Sequence, residues 1–368
     1  MHLAAVIHSL DGGGAERSMA MLAGSLTRRG HRVDLITLGD GSHDRHAVDP
    51  AVHRIPLGLA DQTTASPFGK LAGTARRLRS IRRVLTESHY DIALSFCDWT
   101  NVNVLLSMTG HPLPIVVAER SDPRHQTLPQ PWQTLRRNLY AHAACVITQT
   151  IAATDYLQPI TGGRYQTIPS AIDPPPAEIT SSDRTAAWNR KTITAIGRLS
   201  PEKGFDRLIE AFHQIADDHP GWTLRIVGDG PSKTRLRQQS QRLGRQHAIE
   251  FLSWQTPIWP LYANASMVVI PSRYEGFPSV MLESMAAGVP TIAIESLGGV
   301  AETIDDQING LHCGPHPTDI ADAIRFLITH PDRAARIGEA ARQVLHTHHA
   351  DRMTDQFESV LQTARARP

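Results

Sequence analysis

Two carboxylates with seven residues between them open the chemical reading of this chain. Glu275 and Glu283 bracket the segment Gly276-Phe277-Pro278-Ser279-Val280-Met281-Leu282. A helix is expected to open near Pro278, because proline fits a first helical turn, and to close at Gly288 with Pro290 beyond it. Gly276 lets backbone approach a ligand closely. The N–H groups around Phe277, Ser279 and Val280, together with the helix dipole, suit a phosphate. Acids on either side of such a cradle are placed to grip hydroxyls. In a plainer role they are one acid stabilising a helix N-terminus and one solvated Glu. Arg198 and Lys203 bracket a second turn, Gly197-Arg198-Leu199-Ser200-Pro201-Glu202-Lys203-Gly204. A guanidinium fork and an ammonium point charge can hold a diphosphate between them, and they stabilise the charge it gains on departure. The alternative is two loop cations in surface pairs. A third turn, Asp11-Gly12-Gly13-Gly14-Ala15-Glu16-Arg17, offers Gly13 and Gly14 at another helix N-terminus. As a dinucleotide fingerprint it fails at Arg17, where Gly or Ala is wanted.

These turns need elements to hold them, and the sequence supplies alternating strands and helices. Apolar runs read as strands at 3–7, 32–38, 91–96, 114–118 and 144–149, then again at 192–196, 223–227, 267–270 and 291–294. Helical patterns fall at 15–29, 70–87, 205–217, 278–287 and 319–327. This alternation predicts an α/β protein with mostly parallel sheets. At 368 residues the chain exceeds what one core usually organises. Pro174-Pro175-Pro176 fits neither a helix nor a central strand. We therefore expect a first doubly wound domain over 1–173, a linker at 174–190 and a second domain over 191–345. Residues 346–368 should form a helix able to pack back on the first domain. Ligands of such sheets sit beyond the carboxyl ends of the strands, so the cleft between the domains is the expected site.

Taken together, Glu275-x7-Glu283, Gly-Arg-Leu-Ser-Pro-Glu-Lys-Gly-Phe-Asp at 197–206 and Gly-Gly-Gly-Ala-Glu-Arg at 12–17 resemble the family-four retaining glycosyltransferases. The resemblance extends to Ile226-Val227-Gly228-Asp229-Gly230-Pro231 and Asn309-Gly310-Leu311. It implies the GT-B fold, two Rossmann-like domains facing across a cleft, and transfer of a hexose from a nucleotide-diphosphate sugar, expected to be a UDP-sugar. By the same resemblance Arg198 and Lys203 bind the diphosphate, Glu275 meets the transferred sugar and Glu283 the ribose. Gly13 and Gly14 line the phosphate, while Gly228 and Ser253 lie near the base. Ser170-Ala171 and Glu119-Arg120-Ser121-Asp122 depart from common family patterns, the latter where many members carry a His near the acceptor. Asp98, Asn101, Glu119, Arg120 and Asp122 are accordingly the acceptor-side candidates. Relatives with a similar Arg-x-Asp-Pro pattern extend lipid-linked glycans, so a glycan or lipid-linked acceptor in polysaccharide or glycoconjugate synthesis is expected. The alternatives are an enzyme resembling UDP-sugar 2-epimerases and a non-catalytic nucleotide-sugar-binding protein.

Composition narrows the partners. Lys plus Arg (37) nearly balance Asp plus Glu (36), which does not suit nonspecific nucleic-acid binding. No apolar run approaches a membrane span, no secretory leader is visible, and three scattered cysteines suit a reducing compartment, so a cytoplasmic protein is expected. No Asp-x-Asp triplet offers a metal clamp, and neither a metal nor another cofactor is expected. His346, His348 and His349 lack partner carboxylates at ligand spacing and read as solvated. On the helix at 70–87, Leu71, Ala75, Leu78, Ile81 and Leu85 share one face and Arg76, Arg79 and Arg83 another. The basic face suits either an anionic surface on the inner side of a membrane or plain solvent.

Overall fold

A computed structural model describes residues 1–59, 67–180, 184–295 and 298–366. Residues 181–183 of the expected linker, residues 367–368 of the expected terminal helix and the side chain of Lys70 lie outside this description. The chain divides into two compact units, residues 1–170 with 350–368, and residues 171–349.

The first unit is built on seven parallel strands: β1 (His2–Ile7), β2 (Arg32–Thr37), β3 (His53–Pro56), β4 (Ile92–Phe96), β5 (Ile115–Ala118), β6 (Cys145–Thr148) and β7 (Tyr165–Thr167). Their spatial order is β3-β2-β1-β4-β5-β6-β7. The second unit holds β8 (Thr192–Ile196), β9 (Thr223–Val227), β10 (Ile249–Leu252), β11 (Met267–Ile270), β12 (Thr291–Ile294) and β13 (Leu311–Cys313), in the order β10-β9-β8-β11-β12-β13. Helices cover both faces of such sheets, which is why the central strands read as unbroken apolar runs. β1, β4, β11 and β12 are buried along almost their whole length.

Strand order reverses between β1 and β4 in one unit and between β8 and β11 in the other. Helices leave opposite faces at such a point, so the loops after the two strands diverge and open a crevice. The turns singled out above are those loops: 8–14 follows β1, 97–98 follows β4, 197–204 follows β8 and 271–278 follows β11.

The linker differs from expectation. The stretch expected to be a linker carries two short helices, Ala177–Thr180 and Arg184–Asn189, and belongs to the second unit. The helix Ala350–Arg365 belongs to the first unit. Its Phe357 is fully buried with its ring 5.8 Å from that of Phe96 on β4. Arg29, after the helix Gly14–Arg28, reaches Asp355 at 2.5 Å and Glu358 at 3.0 Å, and His31 reaches Glu358 at 2.8 Å. Those partners hold the Glu358 carboxyl below its ordinary value.

Candidate active site

At the end of β8 the backbone turns through Gly197–Gly204. Gly204 sits at φ +67°, and a Cβ there would lie 1.9 Å from the Pro271 carbonyl oxygen. Only glycine permits that approach. It brings the 201–204 turn against the loop that follows β11, where the Arg273 N–H donates to the Glu202 carbonyl at 2.8 Å. Arg273 itself is held by Asp206 at 2.7 Å. Lys203 and Glu275, from different turns, thereby meet: Nζ donates to Oε1 at 2.6 Å. Ser272 Oγ donates to the same Oε1, also at 2.6 Å. With both donors on one oxygen, Oε2 of Glu275 is left for a hydroxyl. Arg198 is exposed and makes no ion pair among the described residues, which leaves its fork open.

The helix after this loop runs Ser279–Ala286, one residue later than expected, with Pro278 as its extended N-cap. Gly276, Ser279 and Val280 are half-buried, and Phe277 is buried with its ring 5.5 Å from that of His348. That contact corrects the reading of His348 as solvated, while His346 is exposed as expected. His348 packs on the loop, and its carbonyl accepts from the Ile172 N–H at 2.8 Å. Glu283 faces inward from the helix, 3% exposed, and its Oε2 accepts from the Tyr262 hydroxyl at 2.5 Å.

Beyond β9, Gly228 sits at φ +143°, and a Cβ there would lie 2.0 Å from the Gly197 carbonyl oxygen. The strand-end turns of β8 and β9 therefore pack backbone to backbone. Asp229, which lies within the Gly228–Pro231 turn, accepts from Lys233 Nζ at 2.6 Å and from the Trp254 N–H at 3.0 Å. The same Nζ donates to Ser253 Oγ at 3.0 Å. The Lys233 hydrogen bond, then that of Trp254, holds the Asp229 carboxyl below its ordinary value. The only hint of this clamp in the sequence is the i,i+4 spacing of Asp229 and Lys233.

In the first unit, Gly13 caps the helix Gly14–Arg28, and Gly14 is exposed. The Glu16 carboxylate folds back over Gly13, where a Cβ would meet its Oε2 at 2.1 Å, and His8 Nε2 lies 3.1 Å from its Oε1. An acid in the first turn thus already complements the helix N-terminus. His46 Nε2 donates to the Gly13 carbonyl at 3.0 Å, and burial depresses its pKa.

The five acceptor-side candidates cluster at the ends of β4 and β5, yet most point inward. Asp98 opens the helix Asp98–Ser107, 5% exposed, accepting from the Trp99 N–H and from Gln126. Burial raises its pKa. Asn101 is fully buried and donates to the Ala118 carbonyl at 3.0 Å. Glu119 is 1% exposed, with the Tyr140 hydroxyl at 2.5 Å and Arg136 Nη1 at 3.6 Å. Burial pushes its carboxyl up to about 7. Asp122 is gripped by Arg124 at 2.7 Å and His125 at 2.8 Å, and these bonds outweigh burial and hold it low. Arg120, half-buried, donates to Ser18 Oγ at 2.8 Å and Ser170 Oγ at 3.2 Å with its guanidinium over the Phe96 ring. Burial brings it down to about 10.

On the helix Pro67–Glu87, Arg76, Arg79 and Arg83 are exposed, with Arg83 paired to Glu87 at 2.9 Å. The apolar face is only partly covered. Ile81 and Leu85 are buried, but Leu71, expected among them, is 70% exposed. Its place two turns and more before Ile81 puts it ahead of the stretch that packs on the core. No helix among the described residues is long and apolar enough to cross a membrane.

A family model described as glycosyl transferases group 1 matches residues 179–344, and one described as a glycosyl transferase 4-like domain matches residues 13–169. Between them they take in all but the two ends and a short stretch around the unit boundary. The chain belongs to the group 1 glycosyltransferases. It is a hexosyltransferase, and its two sheets are the Rossmann-like domains of a GT-B fold. A Campylobacter jejuni α-1,4-N-acetyl-D-galactosaminyltransferase, named for its diNAcBac-PP-undecaprenol-linked substrate, is 24% identical over 85% of each chain. An exopolysaccharide phosphotransferase of Streptomyces coelicolor is 38% identical over 46% of this chain, but the match spans only 18% of that protein. The crystal structure of HepE from Anabaena in complex with UDP and glucose superposes with a TM-score of 0.78 at 22% identity, over 98% of this glycosyltransferase and 99% of HepE. The enzyme class answers the non-catalytic alternative, and the family answers the epimerase one. A nucleotide-sugar is the donor.

Proposed function

We propose that this glycosyltransferase is a retaining enzyme that moves a hexose from a UDP-sugar to a glycan or lipid-linked acceptor, without a metal, in the synthesis of a surface polysaccharide or glycoconjugate. The observation that carries the reading is the meeting of Lys203 and Glu275 at 2.6 Å, from two turns that flank the switch point, beside an open Arg198. The diphosphate lies against Arg198 and Lys203, which supply the positive charge that a metal gives elsewhere. As the bond from the anomeric carbon to the phosphate oxygen breaks, that oxygen gains charge in reach of both cations. The acceptor hydroxyl attacks on the same face and passes its proton to the departing phosphate, so no enzymic nucleophile is consumed. Glu275 Oε2 accepts from a hydroxyl of the transferred sugar, and Glu283 holds the ribose. Gly276, Phe277, Ser279 and Val280 surround the diphosphate and sugar, while Gly228 and Ser253 lie towards the base. Asp98 and Arg120 border the acceptor. Support for uracil and for a lipid-linked acceptor comes from what HepE holds and what the Campylobacter enzyme is named for.

A panel of UDP-, GDP- and ADP-sugars tests this directly. A saturating UDP-sugar should add stability as RT ln(1 + [L]/Kd), about 2.7 kcal/mol at a hundredfold excess. The other nucleotides should add much less, and EDTA should leave both binding and turnover unchanged. Preferential stabilisation by GDP- or ADP-sugars would overturn the donor, and an inverted anomeric centre in the product would overturn retention.

The exposed Arg76, Arg79 and Arg83, with Leu71 standing out near the start of the same helix, support work at the inner face of a membrane. Flotation with vesicles containing anionic phosphatidylglycerol should carry the protein upward, and Arg76→Ser/Arg79→Ser/Arg83→Ser should not float. Equal flotation with neutral vesicles would remove the electrostatic part of this reading.

A further inference from the structure

The helix Trp259–Ala263, which none of the family's charged motifs includes, ends beside the donor helix. Its Tyr262 is fully buried, and its hydroxyl donates to Glu283 Oε2 at 2.5 Å. Tyr262 lies in an apolar cluster with Met281, Leu282, Met285 and Ala286, all fully buried. A carboxylate in such a place is costly unless hydrogen-bonded. One bond from a phenol both lowers that cost and fixes which oxygen faces the helix interior. The tyrosine is itself anchored. Arg184 Nη1 donates to the Tyr262 carbonyl at 3.1 Å and Nη2 to the Ala265 carbonyl at 2.6 Å, satisfying acceptors at the end of a five-residue helix. The Trp259 ring lies 6.0 Å from that of Tyr262.

We propose that Tyr262, held by Arg184, is a positioning residue that presents the Glu283 carboxylate to the ribose diol of the donor. The inference rests on Glu283 being the ribose ligand and deepens that reading. It gives a function to the segment that precedes β8, because Arg184 lies in the stretch whose sequence reads as a linker. The tyrosine touches no substrate. It acts through Glu283, so its loss weakens the reading of ribose hydroxyls and leaves the diphosphate contacts of Arg198 and Lys203 as they are.

The test compares UDP with 2′,3′-dideoxy-UDP by calorimetry. The wild type should prefer UDP, because only UDP offers hydroxyls to Glu283. Tyr262→Phe removes one oxygen and keeps the ring. It should cut that preference by about tenfold, the size of one charge-assisted hydrogen bond, and leave dideoxy-UDP binding unchanged. A merely structural role would weaken both ligands alike and keep the preference. Arg184→Lys, which cannot span both carbonyls, should cut the preference in the same direction and serves if Tyr262→Phe does not fold. Glu283→Gln separates the two levels of the argument. If it keeps the wild-type preference, the ribose assignment fails. If it abolishes the preference while Tyr262→Phe and Arg184→Lys both keep it, the assignment stands and the positioning role is overturned.

Discussion

The carboxyl ends of the two sheets both carry charged and polar side chains but place them differently. After β8 and β11, Arg198 is exposed, and Lys203 and Glu275 pair within reach of solvent. After β4 and β5, Asn101, Glu119 and Asp122 are closed inside by Tyr140, Arg136, Arg124 and His125. The second unit keeps its charge on turns whose geometry is fixed by glycines in close contact, so the side chains are free to meet a ligand. The first unit uses its charge to bind its own loops to the sheet. Recognition of a constant group, a nucleoside diphosphate, suits a preset array of this kind. On the proposed acceptor side Asp98 and Arg120 remain, and the Gly13–Gly14 turn is already complemented by Glu16.

The contrast is open to attack at its strongest point first. Glu275→Ala should lower turnover by about 10³-fold, with the Kd of UDP changed by less than about threefold. Single-turnover kinetics beside calorimetry would show the split, and equal loss in both would make Glu275 a binding residue only. Lys203→Ala comes next. Its kcat/KM should fall by about 10²-fold, and UDP itself should bind more weakly, because in the proposed function the ammonium serves bound and departing phosphate alike.

The smallest effect concerns the closed side. In the folded protein Glu119 keeps its proton up to about pH 7, far above its ordinary range. The folded state therefore holds more protons than the unfolded chain across that window. Stability is greatest below the ordinary carboxylate range and falls as pH rises to about 7, then levels off. Glu119→Gln cannot titrate, so its melting temperature should gain on that of the wild type by about 2–6 °C between pH 4.5 and 7.5. If turnover changes while this gap stays flat, Glu119 belongs with the open residues and the contrast between the two ends is lost.

How much of this the sequence discloses depends on burial. The four strands at 192–196, 223–227, 267–270 and 291–294 match the structure residue for residue, because covered on both faces they are mostly apolar. β3 and β7 at the edges of their sheet are short and polar, His-Arg-Ile-Pro and Tyr-Gln-Thr, and give no such run. The charged turns of the second unit were legible because Gly204, Lys203, Glu275 and Glu283 stand in fixed local spacing. Tyr262, Asp229 and His348 were not. Their roles come from contacts across long stretches of chain, such as the 71 residues from Phe277 to His348, and only Asp229 leaves a local trace.

The helix Ala350–Arg365 packs on the unit whose sheet begins at His2, with Phe357 against Phe96. During synthesis the first strands emerge long before the piece that covers Phe96. The opening domain must therefore wait, with that apolar surface uncovered, until the ribosome has passed residue 365, while residues 171–349 have all they need to settle earlier. In vivo the order of maturation would then run opposite to the order of translation, and a chaperone would meet the early domain rather than the late one.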